Sequence, residues 1–176
     1  MTAKFMKLLT AGLSIVVIAG FLVTPAPVRS QDKDKLQLDK IPKRVMQTLE
    51  TTFPKAAIQK WTMEKENGAV VYDIEFTQEG VKFGADILEN GTISNWEMAI
   101  PSEELPEPAR DAVAAKYPGV VWKEIMQVTN VKDGKDVLEG YEILLQTADN
   151  KEVEVTVSPD GKILEDSSEE KPEGKS

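Results

Sequence analysis

The side chains that carry most enzyme chemistry are missing from this sequence. It contains no histidine and no cysteine, which removes the Ser-His-Asp and Cys-His arrangements, the thiolate nucleophile and the usual zinc and iron ligand sets. There is no glycine-rich loop of the phosphate-binding kind; Gly80, Gly84, Gly91, Gly134 and Gly161 stand one at a time. What remains is carboxylate chemistry. Asp73, Glu75 and Asp86, and farther along Glu142, Glu152 and Glu154, occupy alternating positions of strand-like segments, so they share the outward side of a sheet. Carboxylates facing one cleft can work as acid and base, converging ones can collect oxygen ligands for a hard cation such as calcium, and a spread row can be a solvated or partner-binding surface. The spacing leaves these readings open, with solvated surface the commonest use of such a row. Asp133-Gly134-Lys135-Asp136 lacks the ligand spacing of a calcium loop and reads as a hairpin tip. The expectation is a protein that is not an enzyme, with no catalytic residues, no cofactor and no metal ligand set.

Aromatic residues are the other candidates. Trp96 lies with Met98 in a strand-like segment near the middle of the chain, and Trp122 falls on the opposite strand parity from Trp61. Trp and Met are favoured anchors of protein interfaces, so Trp96 and Trp122 are candidate binding residues beside the acids. The competing reading is that both fill a seam or pack under a helix. Trp61, Tyr72 and Tyr141 read as core.

The elements that position these residues come in two matching sets. Ile41-Pro42 returns as Leu105-Pro106 and Phe53-Pro54 as Tyr117-Pro118, both at an offset of 64 residues. Tyr72-Asp73-Ile74 returns as Tyr141-Glu142-Ile143 at 69, and Asn90-Gly91-Thr92-Ile93 as Asp160-Gly161-Lys162-Ile163 at 70. The second set is therefore longer between its first and second strands. Val45, Met46, Leu49 and Phe53 follow helix-face spacing after Pro42, as do Ala109, Ala112, Val113 and Tyr117 after Pro106. Pro54 and Pro118 end these helices, and Ser102 is a candidate cap for the second.

Strict alternation follows each helix. Val70, Tyr72, Ile74 and Phe76, then Val81, Phe83, Ala85 and Ile87, form one face, and Tyr141, Ile143, Leu145, Val153, Val155 and Val157 do the same in the second set. Asn90-Gly91 and Asp160-Gly161 predict two-residue hairpin turns with positive φ at both positions. Each set is thus α-β-β-β-β. The fold class predicted is α+β, with tandem repeats at residues 41–100 and 101–165 forming one continuous antiparallel sheet of about eight strands with two helices on one face.

The ends read differently. Lys4 and Lys7 precede an uncharged apolar run from Leu8 to Val23, shorter than the ~20 residues of a membrane-crossing helix. Residues 1–30 are therefore expected to be a signal peptide, with cleavage before Gln31 and no stable membrane insertion afterwards. The chain is expected to be exported, to a periplasmic or extracellular location. Residues 31–40 are a polar leader, and residues 166–176 an acidic tail expected to be disordered. Loss of Lys4, Lys7 and Arg29 with the signal would take the formal net charge from −9 to −12. Nucleic acid is a poor partner for such a chain, because phosphate neutralisation needs clustered Lys and Arg.

The repeated helix ending in aromatic-Pro, the Tyr72 to Phe76 strand and the Asn90 to Ile93 turn resemble the PepSY-like family, also described as beta-lactamase-inhibitor-like. The resemblance covers about residues 40 to 165. It implies a tandem of small α+β units whose sheets join into a curved surface, carried by exported bacterial proteins. In the inhibitor that lends the family its second name, such a surface grips an enzyme. This chain lacks the disulfides of that inhibitor. The function implied is an exported, non-catalytic binding or inhibitory module whose partner is an exported or envelope protein or peptide. A calcium-responsive envelope protein using the two acidic rows is the alternative.

Overall fold

A computed structural model describes residues 36–66 and 68–169. The expected signal peptide and residues 31–35 of the leader lie outside the described residues. Among the described residues no helix is long and apolar enough to cross a membrane.

Two helices of equal length set the frame of the unit. Helix α1 (Lys43–Thr52) and helix α2 (Glu107–Lys116) are entered through Pro42 and Pro106, at φ −55° and −54°, an angle the pyrrolidine ring fixes in advance. They leave through Phe53 and Tyr117, whose N–H groups donate to the carbonyls of Leu49 and Val113. Pro54 and Pro118 then bar any further helical turn. A single 3-10 turn precedes each helix, Leu38–Lys40 and Ser102–Glu104. Ser102 opens its turn without capping α2, which has no side-chain cap.

Eight strands follow in sequence order: β1 (Ala57–Glu66), β2 (Ala69–Gln78), β3 (Val81–Leu88) and β4 (Ile93–Ala99) after α1, then β5 (Val121–Lys132), β6 (Lys135–Gln146), β7 (Glu152–Val157) and β8 (Ile163–Asp166) after α2. They form one antiparallel sheet in the order β1 to β8, so the protein is α+β with an uninterrupted meander. At its middle, β4 pairs with β5 from Asn95 opposite Asn130 to Ala99 opposite Met126. The hairpin β5–β6 is the longest, and its residues from Val131 to Glu139 run past the last partners of β4 and β7.

The turns depart from expectation in one respect. Positive φ at both central residues occurs at Glu79-Gly80 (54° and 86°) and Asp133-Gly134 (50° and 70°), which are the two-residue turns that match strand twist. At the expected sites Asn90-Gly91 and Asp160-Gly161, only the glycines have positive φ. These turns are wider, closed by Gly91 N–H donating to the Leu88 carbonyl at 2.7 Å and Gly161 N–H to the Ser158 carbonyl at 2.9 Å. Their width lets them dock on the helices. The Thr48 hydroxyl donates to the Gly91 carbonyl at 2.8 Å, and a Cβ on Gly161 would lie 2.5 Å from the Pro108 carbonyl oxygen.

Both helices lie on one face of the sheet, each over its own core. Val45, Leu49 and Phe53 of the α1 side meet Tyr72, Ile74, Phe76, Phe83, Ala85 and Ile87. Leu49 is buried to 1% exposure, a burial that contributes roughly 1.5–3 kcal/mol. Aromatic rings fill this core, with Phe53 4.9 Å from Phe76 and Phe76 stacked on Phe83 at 5.5 Å. The α2 core has smaller side chains, Ala109 and Val113 against Ile143, Leu145, Val155 and Val157.

Part of the expected tail belongs to the fold. Asp166 ends β8, and Ser167 N–H donates to the Glu154 carbonyl at 2.9 Å. The Asp166 carboxylate accepts from the Tyr117 hydroxyl at 2.7 Å, the Lys116 ammonium at 2.6 Å and the Ser168 backbone N–H at 2.9 Å. Residues 166–169 are thus latched to α2, and residues 170–176 lie outside the described residues. Burial pushes the Tyr117 hydroxyl above its ordinary value, with the Asp166 carboxylate adding to the rise.

Candidate binding face

With both helices on one side, the other face carries the acids. Strand register builds it row by row. Thr62, Asp73, Asp86, Asn95 and Asn130 stand opposite one another across β1 to β5. The next row runs through Lys60, Glu75, Gly84, Glu97, Val128 and Gly140. Farther along, Met126, Glu142, Thr156 and Glu165 are aligned, as are Glu124, Leu144 and Glu154, with Glu152 opposite Gln146 at the exposed end of β7. The sequence-predicted acids Asp73, Glu75, Asp86, Glu142, Glu152 and Glu154 therefore do share one face.

This face is not uniformly wet, as alternation alone implies. Asp86 (7%), Asn95 (8%) and Glu97 (6%) are buried, together with Val71, Met126 and Val128. Glu97 packs over Gly84, its Oε2 at ordinary van der Waals distance, 3.5 Å, from where a Cβ would stand. Asn95 Nδ2 donates to Asp86 Oδ2 at 2.9 Å. Two acceptors in this row, Asp73 Oδ1 and Asn95 Oδ1, are buried without a hydrogen-bond partner. Sequence reasoning missed Asn95 and Glu97; the signal available was their outward parity in β4, flanking Trp96.

Two lysines of this face, Lys60 and Lys82, are engaged in ion pairs. Lys60 Nζ pairs with Glu75 Oε1 at 2.9 Å, and Lys82 Nζ reaches Glu124 Oε2 at 2.7 Å, joining β3 to β5 across the middle of the sheet. Lys132 and Lys135 sit at the tip of the long hairpin. Acids thus outnumber bases across the face. Among the described residues, no three acidic side chains come together to hold a metal ion.

The two candidate tryptophans do not join the acids. Trp96 is on the helix side, its ring 6.3 Å from Phe53, and Trp122 packs against the α2 core. A bulge explains the second case. The register of β5 shifts between Trp122 and Glu124, and that of β1 between Ile58 and Lys60. Each extra residue returns the chain to the same side, so Trp122 and Ile125, like Ile58 and Trp61, all face the helices.

Solved structures share this fold. A DUF2874 family protein from Bacteroides uniformis is similar at 17% identity and a TM-score of 0.56, covering 71% of this chain and 87% of its own. A protein from Bacteroides eggerthii, provisionally described as periplasmic, is similar at 18% identity and a TM-score of 0.58, over 71% of this chain and 86% of its own. A DUF2874 family protein from Bacteroides ovatus gives 18% identity and 0.50, over 73% and 87%. No protein-family model matches the sequence, and no curated protein does. At these identities the likeness is one of fold.

Proposed function

We propose that this chain is an exported, non-catalytic binding module whose helix-free sheet face takes up a basic segment of a protein or peptide. The observation that carries the reading is the distribution of charge: Asp73, Glu75, Asp86, Glu97, Glu142 and Glu154 spread over both halves of one face, while Lys60 and Lys82 are held in ion pairs. A spread array of this kind attracts a positively charged surface and speeds encounter. The provisional periplasmic description of the B. eggerthii protein supports the exported location.

The test is affinity capture from the exported protein fraction of the source organism. The native chain is one bait and a Glu75→Gln, Glu142→Gln, Glu154→Gln variant the other. Basic proteins held by the native bait at low salt, released by added salt and not held by the variant, are the expected result. Equal retention on both baits overturns the reading.

A further inference from the structure

We infer that β1, the first strand of the sheet, is the edge through which two copies of this chain pair, antiparallel and side by side, about a two-fold axis at Thr62. The inference is independent of the preceding reading of the acidic face. The sheet has two edges, β1 and β8. Strand β8 is four residues long, and a short strand is one of the ways in which a sheet protects its edge. Strand β1 is ten residues long. Its register with β2 shifts between Ile58 and Lys60, then runs unbroken from Lys60 opposite Glu75 to Glu66 opposite Ala69. Backbone groups that face away from β2 along such a stretch are a template for another strand. Met63 lies within it and, at 59%, is the most exposed large hydrophobic side chain among the described residues.

The side chains select the strand that fits. Lys60, Thr62 and Glu64 stand on the acidic side, opposite Glu75, Asp73 and Val71, and Trp61 and Met63 on the helix side, opposite Ile74 and Tyr72. A two-fold axis perpendicular to the sheet keeps each face on its own side and sets each residue opposite the one equally far beyond the axis. Centred on Thr62, it places Lys60 opposite the partner's Glu64 and Glu64 opposite the partner's Lys60, two pairs of opposite charge. It also places Trp61, half-buried with its ring 6.2 Å from Tyr72, opposite the partner's Met63, a thioether–aromatic pair made twice. Thr62 meets its own copy, another favourable cross-strand pair. An axis at Trp61 faces Lys60 with Thr62, one at Met63 faces Glu64 with Thr62, and one at Glu64 sets that carboxylate against itself. Lys60 can keep its contact with Glu75 at 2.9 Å, because an ammonium has three donors. Charges that turn away an unrelated strand therefore accept a second copy. The stretch from Lys60 to Glu64 supplies about four to six backbone hydrogen bonds, and the two acidic faces come to lie on the same side of one longer sheet.

The chain has no cysteine of its own, so a single introduced one reports contact between copies. Opposed residues of an antiparallel pair have Cα atoms about 4.5–5.5 Å apart, within reach of a disulfide. Full-length Thr62→Cys is oxidised mildly at physiological salt, where the net negative charge of the chain is screened. Val137→Cys, at an exposed position of the long β5–β6 hairpin, is the control. The expected result is a disulfide-linked dimer from Thr62→Cys and little from Val137→Cys. Sedimentation of the native chain should show a monomer–dimer equilibrium in the micromolar range. Glu64→Lys should weaken it about tenfold or more, since two like-charge contacts with Lys60 replace two attractive ones. Adding Lys60→Glu to that variant should restore it, a recovery that a structural role for either residue would not produce. Urea unfolding of each variant shows that it is folded. Equal cross-linking at the two cysteines, a native chain that stays monomeric, or a loss in Glu64→Lys that the exchanged pair does not reverse overturns the inference and leaves the acidic face untouched.

Discussion

Replacing Asp166 by asparagine removes a single charge from a site whose contacts are all defined. The Asp166 side chain is 1% exposed. Burial pushes its carboxyl up, but hydrogen bonds from Lys116, Ser168 and Tyr117 outweigh that and bring it from 3.8 down to about 2. The difference corresponds to about 2 kcal/mol of folding stability. Because the folded-state value lies below the unfolded one, this stability is complete above the unfolded value and is lost as pH falls through the folded one. Asp166→Asn keeps the shape and presents an NH2 group to donors, so about 2 kcal/mol should be lost at pH 7, or roughly 4–8 °C in Tm. The outer contact of Lys116 with Glu169, a side chain 70% exposed, is screened by water and adds little. Urea unfolding of both chains at intervals from pH 7 to pH 2 is the assay. The gap should hold down to about pH 5 and close toward pH 2. A gap that does not change with pH, or one below about 0.5 kcal/mol at pH 7, refutes the assignment.

Two further substitutions separate close packing from other effects. Gly161 and Gly134 both have positive φ (87° and 70°), but only at Gly161 would a Cβ meet backbone, 2.5 Å from the Pro108 oxygen. Gly134→Ala should cost about 1–2 kcal/mol of left-handed strain, and Gly161→Ala about 1–3 kcal/mol more from overpacking, read as urea midpoints; equal costs would remove the turn-on-helix contact. Trp96→Ala should lower stability by about 3 kcal/mol or more through its contact with Phe53. Capture of basic proteins by the folded fraction should be unchanged, and weaker capture without loss of stability would restore Trp96 as an interface residue.

Much of the fold was legible because its signals are local. Alternation in Tyr72 to Phe76 and Val153 to Val157 assigned the helix-facing side chains correctly, and aromatic-Pro at Phe53 and Tyr117 marked the helix ends to the residue. What failed was non-local. Nothing in Trp122-Lys123-Glu124 announces a bulge, which depends on how β5 meets β6, and without it parity puts Trp122 on the wrong face. Asn90-Gly91 has the composition of a tight hairpin, yet the Thr48 hydroxyl waits on α1 for a wider turn. Charge alone predicts a disordered tail, yet Asp166 is held by Tyr117 and Lys116, 49 and 50 residues earlier. The acids of the candidate site were found because they alternate; the burial of Asp86, Asn95 and Glu97 depends on neighbours in space.

The join between β4 and β5 bears on how well the acidic face can work. It is tied by the strand ladder and by Ile100 N–H donating to the Ile125 carbonyl at 3.0 Å. On the helix side Met98 packs against both cores, and on the acidic side Lys82 bridges to Glu124. The two halves therefore cannot turn against each other without breaking backbone bonds, a core contact and an ion pair together. Acids fixed on such a frame lose little freedom when a partner arrives, which is where much of the cost of association otherwise falls. The same rigidity is what permits Asp73 and Asp86 to be held opposite each other at all. On a mobile loop two carboxylates would swing apart, whereas here the helix-side packing of Ile74, Ala85 and Ile87, the residues beside them in their strands, holds them in register.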